Sequence, residues 1–290
     1  RTRAFAASAG LPHLPGKAPR GGVILSHDFV EAALLRRAGW GVRMLPEAEA
    51  SFEETPETLA GYLRRDRRWC QGNLQHLRLL ATPGLHPLSR FHLLQGAVAY
   101  LSSVWWLALL ILWAVPGHGA AMPDVLAPLP LGPDGPDLPP VTRGAMAGLF
   151  GLTLIAPKLL GLVSHLSRHG VPRNGALRFT GLVLTEIAVS ALLAPALMVH
   201  QVRAIAQTAM GRDGGWMPHF AGRSDLVTLL RFHGLETILG LGLVVLALAG
   251  QLSLWLVPFA ACLCLTVPLA ALVQMPRSAF RPRLTLRRIA

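Results

Sequence analysis

Two short stretches of the chain carry side chains that could do chemistry on a substrate. In SHDFVEA, residues 26–32, Asp28 stands where a loop passes into an amphipathic segment, with His27 beside it. A carboxylate placed there can take a proton from an acceptor hydroxyl as a general base, or it can cap the adjoining helix. Position alone leaves both readings open. In RRDRRW, residues 64–69, Arg64, Arg65, Arg67 and Arg68 crowd one turn of a predicted helix and Trp69 comes directly after them. Helical spacing sends these arginines in nearly every direction, so at least one points into the protein, and a buried guanidinium needs an anion. Anionic lipid is the competing partner for such a cluster. Trp69 suits either stacking on a sugar or anchoring at a membrane interface.

The elements that must position these residues are legible from capping and periodicity. Residues 10–22 are rich in Pro and Gly and read as a loop. A helix is expected next in SHDFVEAALLRRAGWGV, capped by Ser26 or Asp28, with Glu31 near its positive end, Arg36 and Arg37 near its negative end, and Gly39 as the terminator. Its packing face is expected to hold Phe29, Ala32, Ala33 and Leu35. Residues 41–46 alternate weakly and form the best strand candidate. Thr55 or Thr58 then opens a second helix, led on its apolar side by Leu59, Tyr62 and Leu63 and running through the arginines. Helix, strand and helix suit the last portion of an α/β domain whose sheet partners lie upstream.

Composition separates this part from the rest of the chain. Of 290 residues 52% are hydrophobic and 14% charged, and mean hydropathy is +0.45, which lies outside the range of soluble globular domains. Apolar stretches long enough to cross a bilayer begin only after residue 90. Residues 91–115, 145–166, 235–250 and 252–275 read as spans. The loop 116–142 carries Asp124, Asp134 and Asp137 without Lys or Arg and belongs outside, whereas Arg168, Arg173 and Arg178 return the chain to the cytoplasm. The segment 179–202 contains Glu186, Pro195 and His200. A simple crossing there would export both the Arg-bearing stretch 203–234 and the tail RPRLTLRR, so it is expected to enter and return, or to lie in the interface. Glu186 needs a partner such as Arg178 or His200, or a polar path to face.

The net charge of +12 comes from 27 basic residues, all Arg except Lys17 and Lys158, and loops facing the cytoplasm account for it without nucleic acid. Cys70, Cys262 and Cys264 have no zinc-binding spacing, so neither a structural metal nor a disulfide framework is expected. The first residue is Arg1 and no signal-peptide pattern comes after it, from which the sequence is expected to begin within a longer protein. The domains expected are a cytoplasmic segment 1–90 with an interfacial helix, a membrane region 91–276 and a basic cytoplasmic tail 277–290.

GGVILSHDFVEAALLRRAGWGV followed by YLRRDRRWCQGNLQHLRLL resembles the membrane-embedded, inverting family 2 glycosyltransferases, and among them the enzymes that make the backbone of osmoregulated periplasmic glucans. LLGLVSHLSR, SALLAPALMVHQVRAIAQTAMGRDGGW and the closing hydrophobic hairpin extend the resemblance to nearly the whole chain. In the wider superfamily, cellulose synthases included, Thr-Glu-Asp supplies the base and Gln-x-x-Arg-Trp binds near the donor pyrophosphate and acceptor sugar. Here Ser26, His27 and Asp28 stand for the first motif and Arg65, Arg68 and Trp69 for the second, with Arg in the Gln position; both depart from the cellulose synthase pattern.

The resemblance implies a fold: the α/β C-terminal portion of a GT-A glycosyltransferase domain followed by a mainly α-helical transmembrane bundle, multi-pass in a bacterial inner membrane. It implies Asp28 as catalytic base and His27, Arg65, Arg68 and Trp69 as substrate-binding residues, acting on UDP-glucose and a growing glucan chain that the membrane region would translocate. By the same analogy GRDGGW, residues 211–216, is either a plain turn or a gating loop presenting Arg212, Asp213 and Trp216. Mg²⁺ or Mn²⁺ is the implied cofactor, yet no Asp-x-Asp occurs here, so its ligands are expected upstream and this chain alone is expected to be inactive. A periplasmic glucan-processing protein is the implied partner. Another processive β-glycan synthase, cellulose-like or hyaluronan-like, is the alternative within the class. A transporter would explain the spans and Glu186 but not the two motifs, and a structural anchor would tolerate loss of Asp28 and Trp69.

Overall fold

A computed structural model of the chain describes residues 2–43, 56–114, 143–170, 175–214, 223–252 and 254–274. Its helices in chain order are α1 (Thr2–Ser8), α2 (Asp28–Arg37), α3 (Leu59–His76), α4 (Pro87–Ala114), α5 (Arg143–His169), α6 (Ala176–Ala209), α7 (Leu226–Leu248), α8 (Val257–Cys264) and α9 (Thr266–Val273). Short 3-10 turns occupy Leu77–Leu79 and Leu254–Leu256. Among the described residues there is no strand, only an isolated antiparallel bridge between Leu14 and Gly22, so the expected α/β character is not met there. Of the strand candidate, residues 41–43 have no regular structure and 44–46 lie outside the described residues. A lone extended segment has no partner for its backbone donors and acceptors.

The chain divides into two compact units, the first made of Arg1–Trp106, Leu197–Ile238 and Cys264–Ala290, the second of Leu107–Ala196 and Leu239–Leu263. In the first unit, α2 buries Val30, Ala33 and Leu34, an i, i+3, i+4 stripe, against Leu14, Ile24, Leu79, Leu85 and Leu93. This stripe is rotated from the expected one, since Phe29 is exposed and Ala32 and Leu35 are half-buried. Gly39, at φ +85°, ends α2 as expected: its N–H bonds the Arg36 carbonyl and the Trp40 N–H bonds that of Leu35, the paired arrangement of a Schellman cap. Thr58 caps α3 by accepting the Gly61 N–H at 3.1 Å. Leu59 and Leu63 pack inward as expected, while Tyr62 stays exposed.

Among the described residues three helices are long and apolar enough to cross a membrane: Pro87–Ile111, Ala176–Ala209 and Leu226–Leu248. The expected entry and return near 179–202 is corrected by α6, one unbroken helix of 34 residues that runs through Pro195. At 1.5 Å per residue it is about 51 Å long, well beyond a roughly 30 Å hydrocarbon core. The end of α6 nevertheless lies with α3: His200 Nε2 is 3.1 Å from the Leu63 carbonyl, and the Gln201 amide donates to Asp66 at 3.3 Å. Gln274, after α9, exchanges two hydrogen bonds with the backbone of Ser224 before α7, at 2.8 and 3.0 Å. The expected single span 252–275 is instead a 3-10 turn and two helices of 8 residues each. Helix α5 covers the expected span 145–166 but is not among the three membrane-length apolar helices. The expected loop 116–142 and tail 277–290 lie outside the described residues.

In the second unit, α5 and the first part of α6 expose Leu152, Leu160, Val163, Leu182 and Leu184. Lys158 pairs with Glu186 and donates to Ser190 Oγ at 3.0 Å, so Glu186 finds neither of its expected partners, Arg178 or His200.

Candidate active site

The turn that carries Asp28 is held by the C-terminal half of α3. Gln75, 2% exposed, accepts the Leu25 N–H at 3.1 Å and donates to the Gly21 and Val23 carbonyls, each at 3.2 Å. His76, fully buried, places Nε2 2.6 Å from the Ser26 carbonyl, so Nε2 carries the proton and donates it. Gly72 brings the backbones together: a Cβ there would stand 2.4 Å from the Ser26 nitrogen. A loop without sheet partners thereby has its donors and acceptors satisfied by side chains of one helix. Burial pushes the His76 imidazole below its ordinary range, an effect partly offset by its bond to Ser26.

Asp28 begins α2, and neither it nor Ser26 caps the helix; His27 occupies the cap position without a side-chain bond. The capping alternative is thereby removed, and the Asp28 carboxylate is left 84% exposed. His27 Nδ1 lies 3.4 Å from Asp28 Oδ1 and 3.1 Å from Glu31 Oε1. This group of His27, Asp28 and Glu31 is the one cluster among the described residues with metal-ligating spacing. It does not fit the implied Mg²⁺, which favours oxygen ligands in near-octahedral array. Here the imidazole stands between the carboxylates as their common partner, and both His27 and Asp28 are exposed.

One turn before Gly72 lie the aromatic and basic residues. The Arg65 guanidinium sits 4.6 Å from the centre of the Trp69 ring, a cation–π stack that fixes both side chains. Arg68 is half-buried, and its Nε is shielded from solvent without a hydrogen-bond partner among the described residues. Asp66, although within the arginine run, turns away to accept from Tyr100 at 3.0 Å and from Gln201. Burial raises its carboxyl above the usual range, and those two donors hold the rise back. Burial also pushes the Cys70 thiol up to about 12, which leaves it unreactive at neutral pH.

The stretch after α6 docks on the same helix. Gly211, at φ +79°, terminates α6, with its own N–H on Thr208 and that of Arg212 on Gln207. Gln71 then donates to Asp213 Oδ1 at 2.8 Å and accepts the Gly214 N–H at 3.0 Å. Asp213 is thus brought to α3, Arg212 remains exposed, and Trp216 lies outside the described residues. Arg64, which is exposed, stands 5.4 Å from the Phe232 ring of α7, and half-buried Arg67 lines a cavity with Arg203 of α6.

Sequence reasoning overlooked Gln71, Gly72, Gln75 and His76, which do most of the holding. Their signal was present as QGNLQH directly after the arginines, where uncharged hydrogen-bonding side chains replace the apolar face a packed helix should show.

Comparison with known proteins adds an independent line. The family model described as glycosyl transferase family group 2 matches residues 20–117. The chain is 44% identical over 282 residues to a glucans biosynthesis glucosyltransferase H of Rhodopseudomonas palustris, covering 94% of this chain and 39% of that protein. It is 40% identical over 292 residues to the protein of that name from Xanthomonas oryzae, covering 96% and 44%, and 40% identical over 288 residues to that from Xylella fastidiosa, covering 94% and 44%. The resemblance noted in the motifs therefore holds across nearly the whole chain, which spans about two fifths of the length of the curated relatives it matches. No solved structure matches it at a significant level.

Proposed function

We propose that this chain supplies the acceptor base, the pyrophosphate-side arginine and the membrane region of an inverting glucosyltransferase that builds the glucan backbone its relatives are named for. The observation that carries the reading is the clamp of Gln75 and His76 on the turn before Asp28. It ties the two motifs to a single helix and leaves the Asp28 carboxylate open to a substrate.

In the proposed reaction the acceptor hydroxyl of the growing glucan gives its proton to Asp28 as its oxygen attacks the anomeric carbon of UDP-glucose. The new carbon–oxygen bond forms as the bond to the diphosphate breaks, the leaving group keeps the electron pair, and the configuration inverts to β. Arg68, with Arg65 beside it, offsets the charge gathering on the diphosphate, since a guanidinium presents a fork that matches phosphate oxygens. Trp69, its ring already stacked by Arg65, offers its other surface to the acceptor sugar. His27, between Asp28 and Glu31, orients the base. No step is assigned to a metal. The stretch around Arg212, Asp213 and Trp216 covers the donor site, with Gln71 as its latch. The membrane region carries the product outward through a bacterial inner membrane, with α3 on the cytoplasmic side. Residues 1–90 form the catalytic segment, 91–276 the membrane region and 277–290 a cytoplasmic tail.

The test is Asp28→Asn in membranes containing the protein at the length of its relatives, supplied with labelled UDP-glucose. Expression and donor binding persist, and transfer falls by about 10²- to 10⁴-fold, the range of a lost general base. Near-normal turnover would remove Asp28 from the role.

A further inference from the structure

On α3, Arg64 and Arg67 lie apart from the cation–π stack of Arg65 and Trp69, and they meet Arg203 of α6 and Arg231 of α7 around a cavity of about 160 Å³. Gln207 and Phe232 complete much of its wall, and no carboxylate lines it. None of the four arginines forms a direct ion pair with a carboxylate among the described residues, although Asp213, Glu236 and Asp225 lie near enough to Arg67, Arg203 and Arg231 to be felt electrostatically. Bringing like charges together costs free energy that rises as they leave water. The cost is visible at Arg67, whose guanidinium is pushed below its ordinary value by burial and then by the neighbouring Arg203. Asp213 opposes that shift, after burial and Arg203 in size, and is held by Gln71 outside the cavity wall.

Arg67 is half-buried, Arg64, Arg203 and Arg231 are exposed, and Arg64 is held in place by an aromatic ring. Arg64 is seated over the Phe232 ring, and Phe232 stacks on His200, whose Nε2 is held at the Leu63 carbonyl. Arg203 lies six residues before the end of α6 and Arg231 five after the start of α7. At 1.5 Å per residue that is about 7.5–9 Å from the ends of two membrane-length helices.

We infer that Arg64, Arg67, Arg203 and Arg231 form a binding site for one phosphate-bearing anion, separate from the site containing Arg65, Arg68 and Trp69. The chemistry is that of a phosphate mono- or diester gripped by guanidinium forks from three helices. A phospholipid headgroup and a free phosphate both supply it.

The protein is reconstituted in phosphatidylcholine nanodiscs, with phosphatidylglycerol added to the lipid in one arm and inorganic phosphate added to the buffer in the other. Bound anion is counted by native mass spectrometry. One anion per chain is expected, with affinity about tenfold lower for each guanidinium removed in Arg203→Gln and Arg231→Gln. Arg203→Lys, which keeps the charge but not the fork, guards against a folding defect and gives an intermediate loss; Arg36→Gln, at the end of α2, changes nothing. Retention of phosphatidylglycerol alone identifies a lipid site, and phosphate binding in neutral discs identifies a soluble ligand. Equal occupancy in the native protein and the double variant, or none in either arm, overturns the inference. Parallel loss of UDP-glucose binding in Arg203→Gln would merge the cavity with the donor site and overturn its separateness.

Discussion

In the first unit, side chains as buried as Gln75 and His76, at 2% and 0% exposure, reach across to loop backbone and fix the turn before Asp28. In the second, the pair Lys158 and Glu186 stands among exposed Leu160, Val163, Leu182 and Leu184, and the Glu186 side chain is 59% exposed. The same polar chemistry thus serves opposite ends. Around Asp28, buried amides and an imidazole satisfy loop backbone that has no strand partner among the described residues. On α5 and α6, apolar side chains are exposed and a polar contact joins the two helices, as polar contacts do between helices in lipid.

The largest break in this contrast, after loss of the proposed base, comes from adding one methyl group to each unit. In Gly72→Ala the new Cβ would lie 2.4 Å from the Ser26 nitrogen, and backbone atoms must move. Displacing the turn by about 1 Å is expected to cost about 10²-fold in glucosyl transfer, with kcat affected more than KM. Gly161→Ala in α5 meets nothing within 4 Å and is expected to leave transfer unchanged. Equal activities for the two variants would show that the clamp does not position Asp28.

A smaller effect comes from pH. The folded His76 has its imidazole below the ordinary 6.5, so the unfolded chain takes up a proton first as acid is added. Stability from this site is complete above pH 6.5 and is lost as pH falls from there toward the folded value, by at most about 1.4 kcal/mol per pH unit. Thermal unfolding of the purified protein between about pH 7.5 and pH 5 should show that slope, and His76→Gln should flatten it. An unchanged slope in the variant would assign the acid sensitivity elsewhere.

Local signals were read well where the physics is local. Gly39 ends α2 and Thr58 starts α3 because cap chemistry needs only neighbouring atoms. The stripe on α2 was misplaced because Phe29 is apolar by composition but faces outward, its ring 6.3 Å from that of His76 and 6.4 Å from that of His92. Asp28 is legible from sequence as an acid at a loop end, but its exposure is not, since the turn that presents it is held by Gln75 and His76 about 50 residues away. The membrane segments erred in the same direction. Pro195 and Glu186 read as interruptions in the sequence, yet α6 continues through both: Lys158 partners the acid, and a membrane-length helix tolerates a proline by local adjustment of the backbone groups it frees. Residues 252–275, uniformly apolar, looked continuous but are broken at Leu265.

The smallest effect tests the lipid-facing half of the contrast. If Lys158 and Glu186 join α5 to α6 as a pair, Lys158→Met leaves a carboxylate in apolar surroundings and Glu186→Gln leaves an ammonium. Each single variant is expected to lower the unfolding temperature in detergent, at a cost on the order of 1 kcal/mol, the scale of polar contacts between membrane helices. The double variant removes both charges and should recover most of that loss, so the two costs do not add. Ser190, 3.0 Å from the ammonium, keeps Lys158 partly satisfied, which makes Glu186→Gln the milder single change. Strict additivity would mean that the charges act separately, and the second unit would then lack the polar tie that sets it against the clamp around Asp28.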